Sequence, residues 1–153
     1  LLAGSALMAL AACTTTGQTD AAAPQVAAAA PVEAAAPAVP NNILLADWTG
    51  PYDGVPPWDQ VKPELFNEAF QFAIDEQRRE YQAISNNPEA PTFANTIEAM
   101  ERAGQRLGRV QAVFGVMTDN VSTPAYQALD KEWSPELSPA QDEGTLEPAL
   151  FAR

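Results

Sequence analysis

Large apolar residues recur at helical spacing in the second half of the chain, and no stretch alternates apolar and polar residues for long enough to predict a strand. The first predicted helix opens at Lys62-Pro63-Glu64, where proline suits the first turn and glutamate is favoured by the helix dipole. Asp75 and Arg79 are expected to pair on its solvent face. The helix should end near Asn86-Asn87-Pro88. Its apolar face carries Phe66, Phe70, Ala73, Ile74, Tyr81 and Ile84.

A second helix is predicted to start at Thr92, which follows Pro91 and caps the first turn. Glu98 and Arg102 have the spacing of an ion pair on its outer face. Gly104 and Gly108 lie four residues apart, a spacing that permits another helix to approach closely, so we expect them to pack within the fold. The apolar stripe that this helix would bury is Phe93, Ile97, Met100, Leu107, Val110, Phe114 and Met117.

A third helix is predicted to start at Thr123, before Pro124, and it carries the apolar residues Ala125, Tyr126, Leu129 and Trp133. Ser134-Pro135 and Ser138-Pro139 offer two further starts, so residues 134–144 are expected to be a broken helix. The fold class predicted for residues 43–153 is therefore all-α. Three helices of this kind leave hydrophobic surface that needs a partner.

The segment that precedes the first helix mixes aromatic residues with glycine and proline. Its large apolar residues are Leu44, Leu45, Trp48, Tyr52, Val55 and Trp58. Such a segment is typical of ordered but irregular chain that wraps over a larger body, with its rings filling grooves. The alternative is that these aromatic residues line a substrate groove.

Residues 1–13 have the pattern of the end of a bacterial lipoprotein signal peptide. Leu1 to Ala12 is apolar and uncharged, and it closes with Leu10-Ala11-Ala12-Cys13, which resembles a lipobox. Cys13 is then the residue that takes up a diacylglycerol and becomes the lipidated N-terminus. The sequence starts inside this targeting segment. The alternative is a buried core cysteine behind an unrelated apolar segment.

Residues 14–42 consist mainly of alanine, proline, threonine and glutamine, without the large side chains that would offset chain entropy. We predict a disordered tether in which proline favours extended chain. A helix through the alanine runs is the alternative. Four prolines argue against that helix because each breaks the backbone hydrogen-bond ladder: Pro24, Pro31, Pro37 and Pro40.

Composition narrows the chemistry that these residues can perform. The chain has no histidine, the commonest general base and metal ligand near neutral pH, so we expect no catalytic residue within it. Cys13 is the only cysteine, which excludes an internal disulfide. A net charge of −12 disfavours nucleic acid and anionic membrane surfaces as partners. Membrane association is therefore expected to come from the lipid, and Thr14 after the cysteine indicates sorting to the outer membrane.

Several segments together resemble the start of the peptidyl-dipeptidases, which belong to the thimet-oligopeptidase-like zinc metallopeptidase family. The most specific segment is Pro91-Thr92-Phe93-x-Asn95-Thr96-Ile97. The full set, in the order and spacing of that family, is Leu45–Tyr52, Val55–Trp58, Val61–Glu64, Asn86–Ile97 and Glu147–Phe151. The resemblance covers residues 43–153 and implies an all-helical region, with a continuous helix where residues 134–144 look broken.

The resemblance implies an N-terminal part of a zinc metallopeptidase that releases dipeptides from the C-termini of short peptides. In that family zinc is bound by a helical H-E-x-x-H motif and a downstream glutamate, none of which is in this chain, so no catalytic or zinc-binding residue is assigned. Residues 43–153 would form a helical wall of the substrate channel. The expected location is the bacterial envelope, at the periplasmic face of the outer membrane. The alternative is a small envelope lipoprotein that binds a partner through Trp48, Tyr52 and Trp58.

Overall fold

The computed structural model describes residues 36–50 and 54–153, and it shows only helices and connecting turns in those ranges. Short 3-10 turns at Trp58–Gln60 and Pro63–Leu65 precede the first α-helix, and a π-helical turn at Phe93–Glu98 leads into the second. The prediction of an all-α fold is confirmed. The α-helices are α1 (Phe66–Ser85), α2 (Ala99–Arg102), α3 (Gln105–Asn120), α4 (Pro124–Leu146) and α5 (Pro148–Ala152).

Helix α1 ends where its sequence predicts, but it begins at Phe66, three residues after the predicted start at Pro63. The turn that begins at Pro63 leads into it, and it ends before Asn86, whose amide donates to the Gln82 carbonyl at 2.9 Å. The predicted pairing of Asp75 with Arg79 is wrong, because Asp75 lies 3.6 Å from Arg78 instead. The guanidinium of Arg79 lies over the ring of Phe72.

The start of the second predicted helix is confirmed by a reciprocal cap. The Asn95 amide donates to Thr92 Oγ1 at 3.1 Å, and the Thr92 amide donates to Asn95 Oδ1 at 2.8 Å. The predicted continuity is wrong, because the helix stops at Arg102 and restarts at Gln105. Gly104 stands between them in the left-handed conformation, with a φ of 73°, which favours glycine.

The break at Gly104 divides the predicted apolar stripe. Its members on α3, which are Leu107, Val110, Phe114 and Met117, are buried as predicted. Phe93 and Ile97 are not in the core, since their side chains are 73% and 48% exposed. The wider π-helical turn and the change of direction at Gly104 rotate them away from the face that α3 buries. The predicted Glu98–Arg102 pair is present.

Helix α4 runs unbroken through Pro135 and Pro139, so the prediction of a broken helix is wrong and the continuity implied by the family resemblance is confirmed. Each proline removes one backbone hydrogen bond and disfavours a helix interior by about 3 kcal/mol. Both prolines are exposed, whereas Leu137 and Ala140 between and beside them are buried in the core. Packing of that face offsets the lost hydrogen bonds.

The core lies where α1, α3 and α4 meet, and aromatic rings fill its centre. The ring of Phe66 lies 5.0 Å from that of Phe114 and 6.0 Å from that of Tyr126, measured between centroids. Phe70 contacts Phe114 and Trp133, with its centroid 5.1 Å from each ring. These rings connect all three long helices.

The segment before α1 packs onto this core. Leu44 and Leu45 are fully buried, and Trp48 packs against the same cluster while its indole N–H donates to the Ile43 carbonyl at 3.0 Å. The predicted wrapping is therefore confirmed for residues 43–48. None of the helices in the described ranges is both long and apolar enough to cross a membrane.

Helix α5 and the loop after α1 are joined by the side chain of Arg153. Its Nη1 donates to the Asn87 carbonyl at 2.8 Å, and its Nη2 donates to the Glu89 carbonyl at 3.1 Å. Leu150 of α5 is buried, and α5 contacts both α1 and α4. The loop between α1 and the π-helical turn is thus held at two points.

Candidate functional site

An open groove of about 630 Å³ lies between α1 and the second half of α4. It combines charged, hydrogen-bonding and apolar side chains from two helices that are far apart in sequence. Its lining residues are Arg78, Tyr81, Gln82, Ser138, Pro139, Asp142, Glu143, Leu146 and Glu147.

A bidentate ion pair crosses one side of this groove. Arg78 Nε lies 3.0 Å and 2.8 Å from the two carboxylate oxygens of Glu143, and Arg78 Nη2 lies 2.6 Å from Oε1. Hydrogen bonding to Glu143 raises the pKa of Arg78 above its ordinary value, despite the opposing effect of desolvation. Two parallel bonds fix the orientation of the guanidinium more firmly than one contact would. The pair therefore ties α1 to α4 at the groove.

The ring of Tyr81 reaches the groove because residue 144 is glycine. A Cβ at Gly144 would lie 2.4 Å from Tyr81 Cζ, so any side chain there would force the Tyr81 ring to move. The Tyr81 hydroxyl accepts a hydrogen bond from Gln77 Nε2 at 3.1 Å. The missing side chain at Gly144 thus allows α1 and α4 to meet through an aromatic ring.

The groove presents charged and hydrogen-bonding side chains beside apolar surface. Ser138 is the hydroxyl group on its α4 side, and the chain has no histidine to activate it. Within the described ranges no group of three His, Cys, Asp or Glu side chains could hold a metal ion. The zinc implied by the resemblance therefore does not fit the described residues.

A second polar cluster lies along α1 and α3, and its charges are mostly paired with one another. Glu76 pairs with Arg106, and Arg109 lies 3.5 Å from Asp47. Glu80 accepts a hydrogen bond from the Gly104 amide at 2.7 Å. These ion pairs and this hydrogen bond connect α1 to α3, to Gly104 and to the segment before α1, so the cluster has a structural role.

The residues singled out from sequence are not brought together in one described site. Cys13 and the lipobox residues Leu10, Ala11 and Ala12 lie outside the described residues, as does Tyr52.

The two tryptophans of the segment before α1 differ in exposure. Trp48 is half-buried beneath Arg109, and the guanidinium carbon of Arg109 lies 5.4 Å from the centroid of the Trp48 ring. Trp58 is 45% exposed. A groove of about 600 Å³ near residues 40–65 is lined by neither tryptophan. Neither tryptophan therefore lines this groove or the groove between α1 and α4.

Sequence reasoning missed the groove between α1 and α4. Arg78 and Glu143 are 65 residues apart, and each has the appearance of an ordinary solvated charge on its own helix. Gly144 gave one signal, because a glycine within a helix often marks a close approach. Its partner Tyr81 has the spacing of the apolar face of α1, which gives no indication of a contact with Gly144.

A buried tyrosine makes the stability of this fold sensitive to alkaline pH. Burial raises the pKa of Tyr126 above its ordinary value of 10.0, and the charge of Glu64 raises it further. The folded state therefore holds the proton of the Tyr126 hydroxyl more tightly than the unfolded state does. The stability that protonated Tyr126 contributes is complete below pH 10 and is lost as pH rises through the pKa of the folded state. Tyr126→Phe should reduce the loss of stability above pH 10, as measured by urea unfolding at several pH values. Equal alkaline losses in both proteins would contradict this assignment.

Comparison with known proteins finds two similar peptidases and no matching protein-family profile. The chain is 38% identical over 113 residues to the dipeptidyl carboxypeptidase of Salmonella typhimurium, which covers 74% of this chain and 16% of that protein. It is 38% identical over 112 residues to the dipeptidyl carboxypeptidase of Escherichia coli, which covers 73% of this chain and 16% of that protein. The chain thus matches about one sixth of the length of these relatives.

Proposed function

We infer that this chain is a segment of a dipeptidyl carboxypeptidase, and we propose that the protein containing it releases dipeptides from the C-termini of short peptides. The observation that carries the proposal is 38% identity over 74% of the chain to a protein of that name. The absence of histidine from the chain is consistent with it, because the zinc site of such an enzyme would lie in other residues.

In this proposal residues 43–153 form the first helical part of the peptidase and contribute a wall of its substrate channel. Two features support a structural role for them. The aromatic core and the Arg78–Glu143 pair hold α1, α3 and α4 in fixed positions. The groove between α1 and α4 presents hydrogen-bonding groups beside apolar surface, which is the combination that peptide backbones and side chains need.

The reading frame that encodes this chain tests the proposal at once. We expect the several hundred codons after Arg153 to encode a helical H-E-x-x-H motif and a glutamate further downstream. A stop codon close to Arg153, or a long frame without the motif, would contradict the assignment and favour the small binding lipoprotein.

The proposed location is the cell envelope, where a lipid on Cys13 and the alanine- and proline-rich residues that follow it would tether the enzyme; the tether would stop short of Asn42, which is buried and donates to Leu65 and Glu68. A buried acyl chain binds membranes through its methylene groups, each contributing about 0.8 kcal/mol. Cys13→Ser in the full-length protein should therefore move it from the membrane fraction to the soluble fraction, as measured by fractionation and immunoblotting. Thr14→Ser is the matched control and should leave the protein in membranes. Unchanged fractionation of Cys13→Ser would contradict the anchor.

A further inference from the structure

The π-helical turn before α2 has an unusual distribution of side chains. Phe93 and Ile97, four residues apart, are 73% and 48% exposed, whereas Thr96 between them is only 7% exposed. The Thr96 hydroxyl donates to Asn95 Oδ1 at 2.9 Å, so the inner side of the turn satisfies its own polar groups. The turn therefore buries polar atoms and presents two large apolar side chains to solvent, which is the reverse of an ordinary surface helix.

This turn is held rigidly in place. Asn95 Nδ2 donates to the Ala90 carbonyl at 3.0 Å, in addition to the reciprocal cap between Asn95 and Thr92. The preceding loop is fastened by the two hydrogen bonds from Arg153 to the Asn87 and Glu89 carbonyls. The exposure of Phe93 and Ile97 is therefore a property of a fixed surface, and fixed apolar surfaces commonly mark interfaces.

We propose that the apolar patch of Phe93 and Ile97 is the surface on which the remainder of the peptidase packs. This inference rests on the proposed function, since it requires a longer polypeptide. The chain matches only 16% of its relatives, so most of such a protein lies outside these residues and is available to cover the patch. A single exposed apolar residue is common on protein surfaces. Two large apolar side chains on one rigid turn would gain favourable free energy if another part of the protein removed them from water.

A second copy of this chain is a less suitable occupant. The chain carries a net charge of −12, and beside the patch in sequence Glu98 is paired with Arg102 whereas Glu101 adds an exposed negative charge. Two identical surfaces of this kind would bring like charges together, which disfavours association. The remainder of the peptidase can instead place complementary groups around Phe93 and Ile97.

Thiol labelling of the full-length protein tests the patch directly. Ile97→Cys and, as the control, Ser134→Cys are each made in a Cys13→Ser background, so that the new thiol is the only one in residues 1–153. Labelling rates with a maleimide are measured for the native and the urea-unfolded protein. Both positions are exposed in the structure, so local structure alone predicts rates near the unfolded value for both.

We expect native Ile97→Cys to label on the order of tenfold more slowly than its unfolded form, and native Ser134→Cys to label at nearly its unfolded rate. A fast rate at position 97 in a protein that releases dipeptides would overturn this inference and leave the proposed function intact. Equal protection at both positions would also overturn it. Protection at position 97 that disappears on dilution would show that a second copy covers the patch, and would overturn the assignment to the remainder of the peptidase.

Discussion

Replacing Phe70 with alanine is expected to lower the free energy of unfolding by about 3–5 kcal/mol. Phe70 is fully buried, and its ring contacts Phe66 on α1, Phe114 on α3 and Trp133 on α4. Truncation would remove contacts with all three long helices and leave a cavity that close-packed neighbours cannot fill. The expected loss is a large fraction of the total stability of an ordinary domain, which is about 5–15 kcal/mol.

Urea unfolding followed by tryptophan fluorescence measures this effect, and Trp133 reports on it because its ring lies 5.1 Å from that of Phe70. Phe151→Ala is the matched control, since it makes the same chemical change at a side chain that is 88% exposed. We expect the control to change stability by about 0.5 kcal/mol or less. Similar losses in the two variants would contradict the position of the core.

Gly104→Ala is expected to destabilise the fold by about 1–3 kcal/mol, because it forces a side chain into the left-handed conformation. The φ of Gly104 is 73°, and a Cβ there would lie 2.8 Å from Gln77 Nε2. Gln77 is itself buried and donates to Tyr81, so displacing it would disturb the link between α1 and the groove. The amide of residue 104 also donates to Glu80 at 2.7 Å, and a backbone shift at this position would weaken that hydrogen bond.

Gly108→Ala provides a control with the opposite expected sign. Gly108 lies within α3, and a Cβ there would meet no atom within 4 Å. Alanine should therefore stabilise the helix by about 0.5–1 kcal/mol through its lower backbone entropy in the unfolded state. Thermal unfolding of the two variants would reveal opposite shifts. Equal shifts of either sign would contradict the left-handed turn at Gly104.

The parts of the fold that depend on local signals were predictable from sequence. Pro63 before a run of helically spaced apolar residues indicated the turn that leads into α1, and Thr92 indicated the cap of the next helical segment. In both cases the residues that decide the structure are neighbours in the chain. The burial of Leu44 and Leu45 followed from a different local signal, the mixture of large apolar residues with turn-forming ones.

The incorrect predictions concern features that tertiary packing decides. Spacing alone assigned Phe93 and Ile97 to the buried stripe, because it assumed one straight helix through Gly104. Proline content alone predicted a broken helix at Pro135 and Pro139, whereas burial of the opposite face keeps α4 intact. Neither outcome can be read from a window of neighbouring residues.

The groove between α1 and α4 depends on contacts across 65 residues, so periodicity gave no indication of it. Arg78 and Glu143 acquire their significance only when the core brings the two helices together. The apolar patch at Phe93 and Ile97 and the groove are both exposed features of a rigid helical body. Their presence fits a segment whose surfaces serve a larger protein.

The central claim is that this chain is part of a dipeptidyl carboxypeptidase, and mass spectrometry of peptide digests tests it most directly. The full-length protein would be incubated with a peptide of about ten residues that has a free C-terminus. We predict products that shorten by two residues at a time from that end, with the released dipeptides in equal amount. An intact peptide, removal of single residues, or cleavage from the N-terminus would contradict the claim.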